Sequence, residues 1–126
     1  MISGRQEIII LVVDDDSSMS QAIERLLAAA GWRARSFASA EELLMSGMAA
    51  GATLLIVDLQ LPGMTGLELI ARLAAGGPVP PVIIITAQDR PGTRELVRKS
   101  GAAACLTKPF AGQDLIQAVR RHLPAA

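Results

Sequence analysis

The chain has 126 residues, 51% of them hydrophobic, with only Trp32, Phe37 and Phe110 as aromatics, so it can build one domain around an aliphatic core. Twelve basic and twelve acidic residues cancel, and no run of basic residues makes a stripe for a nucleic-acid backbone or an anionic membrane. A single cysteine, Cys105, excludes an internal disulfide, and no apolar run reaches the ~20 residues of a membrane span.

Short apolar runs alternate with amphipathic stretches. The start of the chain leads into acids rather than a small-residue cleavage site, so it reads as a strand and not a signal peptide, and the protein is expected in the cytoplasm. Residues 8–13 are continuous, β-branched and apolar, which predicts a buried strand. Ser17 or Ser18, with Asp16 as an alternative, can cap a helix through about Ala30, with Met19, Ile23, Leu26 and Leu27 on one face and Gly31 as its stop. Residues 33–37 alternate as a weaker, edge-type strand. Ser39 with Glu42 three residues on predicts a capping box for a second helix, with Leu43 and Leu44 inward. Residues 53–57 form a buried strand that ends in Asp58. Thr65 or Gly66 starts a helix to about Ala75, and Gly76-Gly77-Pro78 is a loop. Residues 82–85 are a further buried strand, ending in Thr86. Residues 92–100 read as a short polar helix, and 103–106 as a short strand running into Thr107-Lys108. Residues 111–123 close the chain as an amphipathic helix, with Leu115, Ile116, Val119 and Leu123 inward.

Strands that are apolar throughout and alternate with helices imply an α/β fold: a parallel sheet covered on both faces. Right-handed crossovers leave few topologies. The two least apolar strands, 33–37 and 103–106, belong at the edges. That predicts a five-stranded parallel sheet in the flavodoxin-like, doubly wound order 2-1-3-4-5, flanked by five helices. The whole of 1–126 reads as a single domain, with no output domain within it.

In such sheets, function sits outside the carboxyl ends of the strands. There the chain places Asp14 and Asp15, Asp58, Thr86 and Lys108, one set per strand. Adjacent carboxylates repel unless a cation lies among them. Three hard oxygen donors suit Mg²⁺. A carboxylate beside a metal and a lysine can attack phosphorus, and phosphoryl transfer needs mainly in-line positioning and neutralised oxygens.

Four segments together resemble the receiver domain of two-component response regulators: "VVDDD", "LIVDLQLPGMTGLEL", "VIIITAQ" and "TKPF". The second matches that family's Asp-x-x-x-Pro-x-x-x-Gly pattern at Asp58, Pro62 and Gly66. The resemblance implies that Asp58 accepts a phosphoryl group from a sensor histidine kinase or phosphotransfer protein. It implies Asp15 as a direct Mg²⁺ ligand and Asp14 as one acting through water and by pairing with Lys108. The Gln60 backbone carbonyl would be a further ligand. Lys108 would hold the phosphoryl group, Thr86 would move to bond it, and the Lys108-Pro109 bond would be cis. Downstream it implies a protein partner or output domain, or a phosphorylation-dependent dimer through the last helix and the short fourth helix. The family's usual Phe or Tyr three residues before the lysine is replaced by Cys105. Gln60 and Gln88 flank the expected phosphoryl position, Asp16 is adjacent rather than central, and Gly63 and Gly66 are expected to serve turn geometry.

Three other readings compete. Asp14-x-Asp16 loosely resembles the Asp-x-Asp motif of haloacid dehalogenase-like phosphatases, but that leaves Asp58 and its Pro-Gly segment unused. A nucleotide- or flavin-binding module would want a Gly- or Ser-rich loop where three aspartates stand. A receiver fold acting as a scaffold without phosphorylation is the third. Cys105 reads as a small core residue and His122 as a cation favoured in a last helical turn.

Overall fold

The computed structural model describes residues 7–87 and 90–124. Gln88 therefore lies outside the described residues. Five strands, β1 (Ile10–Val13), β2 (Ala34–Phe37), β3 (Leu54–Asp58), β4 (Val82–Thr86) and β5 (Ala104–Thr107), form one parallel sheet in the order β2-β1-β3-β4-β5. The helices are α1 (Ser17–Ala29), α2 (Ala40–Ser46), α3 (Gly66–Gly76), α4 (Thr93–Lys99) and α5 (Gly112–His122). Among the described residues no helix is long and apolar enough to cross a membrane.

The strands are apolar throughout because both sheet faces are covered. Leu11, Val13, Leu55, Val57, Val82 and Ile84 pack with side chains of α2, α3 and α4. Ile10, Val12, Leu54, Ile56, Ile83 and Ile85 pack with Ile23 and Leu27 of α1 and Leu115, Ala118 and Val119 of α5. The edge strands are the least buried, as their composition predicts.

Several expected boundaries move, each for a local reason. β1 begins at Ile10 rather than Ile8, and Ile8 is exposed. β3 begins one residue late, at Leu54; at Thr53 the Ile9 N–H is taken by the threonine Oγ1, at 2.9 Å, in place of a backbone carbonyl. The cap of α1 is Asp16 rather than a serine. Asp16 Oδ1 accepts the N–H groups of Ser18 at 2.9 Å and Met19 at 3.3 Å. At Ser39 the hydroxyl accepts the Glu42 N–H as expected, but the box that closes in both directions is Thr65 with Glu68, at the start of α3. A 3-10 turn at Met48–Gly51, not anticipated from the sequence, fills the connection from α2 to β3. In α5, Leu115 and Val119 are buried, while Ile116 and, just past the helix end, Leu123 are partly buried against the core.

Candidate functional site

The carboxyl edge of the sheet gathers the polar residues that the sequence singles out. Asp14 follows β1, Asp58 ends β3, Thr86 ends β4 and Lys108 follows β5; β1, β3, β4 and β5 are successive neighbours. Asp14, Asp58 and Thr86 are the buried polar residues there, while Asp15 is exposed. One oxygen from each of Asp14, Asp15 and Asp58 falls within 4.8 Å of the others.

Backbone geometry holds the two buried acids. The Asp16 N–H donates to Asp14 Oδ1 at 2.9 Å, and the Gln60 N–H donates to Asp58 Oδ1 at 3.0 Å. Lys108 Nζ lies 3.4 Å from Asp58 Oδ2 and 3.8 Å from Asp14 Oδ2. The Lys108 N–H donates to the Thr86 carbonyl at 2.8 Å, and the Lys108-Pro109 bond is cis, as the resemblance implies. Gly66 brings α3 against the end of β3. Its N–H bonds the Leu59 carbonyl at 2.9 Å, and a Cβ at Gly66 would stand 2.8 Å from the Asp58 carbonyl oxygen. Close approach, and not the turn geometry expected, is what requires glycine here. Gly63 does serve the turn, with φ +81°.

One lysine does not neutralise three carboxylates. Asp14 Oδ2 is buried without a hydrogen-bond partner. The Asp14 carboxyl is pushed up from 3.8 to about 6, first by burial and also by the Asp58 charge, against the Asp16 N–H and Lys108, which pull it down. A buried orphan oxygen beside two other hard oxygen donors fits a divalent cation. Asp16 is no part of this cluster, since its carboxylate is spent on the α1 cap.

The family of the response regulator receiver domain matches residues 10–120. The chain belongs to the response regulator receiver family. Its fold is similar to that of FixJ-N, with a TM-score of 0.83 and 28% identity, covering 97% of this chain and 100% of that one. It is also similar to a CheY-like receiver domain protein from Methanospirillum hungatei JF-1, with a TM-score of 0.82 and 26% identity, covering 92% and 93%. The C4-dicarboxylate transport transcriptional regulatory protein DctD of Rhizobium meliloti is 36% identical over 113 residues, 89% of this receiver and 24% of DctD. Response regulator protein TmoT of Ectopseudomonas mendocina is 35% identical over 122 residues, 96% of this receiver and 55% of TmoT. This receiver thus spans between a quarter and about half the length of these curated relatives. It is a signalling module of two-component systems.

Asp14, Asp15, Asp58, Thr86 and Lys108 stand at the carboxyl edge of the sheet, where the strand ends read from the sequence put them. The hydrogen bond from Arg94 in α4 to the Thr107 hydroxyl, 3.2 Å, has no signal in the sequence.

Proposed function

We propose that this receiver accepts a phosphoryl group on Asp58 from a phosphohistidine of a sensor histidine kinase or phosphotransfer protein in the cytoplasm. The observation that carries the reading is the Asp58 carboxylate at the sheet's carboxyl edge, with a lysine ammonium at 3.4 Å and two further carboxylates within 4.8 Å. An Asp58 oxygen attacks phosphorus in line. The P–N bond breaks, its electron pair stays on the imidazole nitrogen, and an acyl phosphate forms on Asp58. Lys108 is close enough to hold one phosphoryl oxygen, and the Thr86 hydroxyl takes another. Asp15, Asp58 and the Gln60 backbone carbonyl would hold Mg²⁺, with Asp14 acting through water. Bound there, Mg²⁺ supplies charge neutralisation for the incoming phosphoryl oxygens. The phosphorylated state is then read by a downstream protein partner or output segment.

The phosphatase reading loses support at Asp16. The second acid of an Asp-x-Asp pair would face substrate, yet here its carboxylate accepts two backbone N–H groups of α1.

The test is intact-protein mass after incubation with acetyl phosphate and Mg²⁺. A single phosphoryl adduct is expected on the wild type, blocked by prior chelation and absent from Asp58→Asn. An adduct of equal yield on Asp58→Asn would overturn the assignment.

A further inference from the structure

Helix α4 is short and lightly buried. It has 7 residues, a glycine N-cap with no side-chain cap bond, and one buried side chain, Val97. Leu96 on the same helix is 60% exposed. A helix this short and this lightly buried opens or shifts at little cost in free energy.

A polar tie from α4 to the sheet falls at an informative place. Arg94 Nη2 donates to Thr107 Oγ1 at 3.2 Å. Thr107 is the last residue of β5, directly before Lys108, and pairs in register with Thr86. By strand alternation its side chain shares a face with Cys105, which packs on the core cluster that includes Val97. Lys108, one residue on, lies within ion-pair distance of Asp58 and Asp14. One residue pair thus separates the charge of the acidic site from the orientation of α4.

We propose that Arg94 is a positioning residue which couples α4 to the Lys108 end of β5, holding α4 in the arrangement that belongs to the unmodified site. The inference rests on the reading of Asp58 as phosphoacceptor. A phosphoryl group on Asp58 adds oxygens that draw Lys108, which displaces Thr107 and with it the acceptor of the Arg94 bond. Because coupling between two sites is reciprocal, loosening the tie also makes the modified arrangement easier to reach. The bond is a neutral acceptor meeting a guanidinium at the surface, so its effect on the equilibrium is about two- to tenfold.

The experiment uses beryllofluoride with Mg²⁺ as the phosphoryl mimic, on the wild type, Arg94→Ala, Thr107→Val and the double variant. Two quantities are read: beryllofluoride affinity, and amide hydrogen exchange across α4 with and without the mimic. The expected result is a roughly two- to tenfold tighter affinity in each single variant, with no further gain in the double. Exchange in α4 should be faster in the unmodified variants than in the wild type. Leu96→Ser, on the same helix but outside the tie, should keep wild-type affinity. If the wild type binds the mimic but neither single variant changes affinity or α4 exchange, the coupling role is overturned. Additive effects in the double variant overturn it as well, because the two residues would then act separately. If the wild type itself fails to bind the mimic, the phosphoacceptor reading falls, and this inference with it.

Discussion

At the scale of single residues, Asp14 is where folding and function pull against each other. Its carboxyl is nearly inaccessible to solvent, and burial is the largest cause of its rise from 3.8 to about 6. The sign of the consequence follows from proton linkage. The folded state binds more protons than the unfolded state between about pH 4 and pH 6. For this group, therefore, the metal-free protein loses stability as pH rises through that window. In chelator, Asp14→Asn should therefore gain stability over the wild type as pH is raised from 4 to 7. Urea unfolding at several pH values checks this, and a stability difference that stays flat across the window would contradict it. Divalent cation should narrow the difference, because it stabilises the charged carboxylate. The residue types at this site were legible in the sequence because carboxylates directly after an apolar strand are out of place unless they are used. The orphaned Asp14 oxygen was not legible, since burial of one oxygen depends on how β1 and β3 pack.

At the scale of elements, the sequence carried the strands and long helices through their periodicity, and misplaced their ends. Ends are decided by hydrogen bonds that compete locally, and two candidates within a few residues look alike in the sequence. Asp16 prevailed over Ser17 because its carboxylate reaches two N–H groups at once. Beside Thr53 the Ile9 N–H goes to the Thr53 hydroxyl and not to a backbone carbonyl, so the ladder is not extended there. The junction of β3 and α3 is the element-scale feature most sensitive to change. Gly66→Ala puts a Cβ 2.8 Å from a backbone carbonyl oxygen that has little room to yield. We expect a loss of about 2 kcal/mol in denaturant unfolding, and a slower gain of the phosphoryl adduct because Asp58 shifts with its carbonyl. Gly76→Ala is the control: it lies in the last turn of α3, with no heavy atom within 4 Å of its added Cβ. That substitution should be neutral or stabilising by up to about 1 kcal/mol. Equal losses at the two positions would sink the close-approach argument.

At the scale of the whole molecule, the two core clusters draw on opposite faces of the same strands, and β3 lies at the centre of the sheet. Ile56 is fully buried in that strand. Ile56→Ala should cost about 2–5 kcal/mol in global stability, and amide exchange of β1 and β4 should accelerate with it. A substitution confined to α4, such as Leu96→Ser, should leave both unchanged; a comparable loss there would show α4 to be part of the cooperative core. The sequence by itself determined the α/β class, the strand order and which residues reach the carboxyl edge. Hydrophobic periodicity, the polarity of the edge strands and right-handed crossovers point to these, since burying both sheet faces leaves few arrangements. Only the tertiary structure decided the distances among Asp14, Asp15, Asp58 and Lys108, the need for glycine at position 66, and the bond from Arg94 to Thr107. Each of these joins residues on different elements, and their separation is set by how closely those elements pack, which no local pattern encodes.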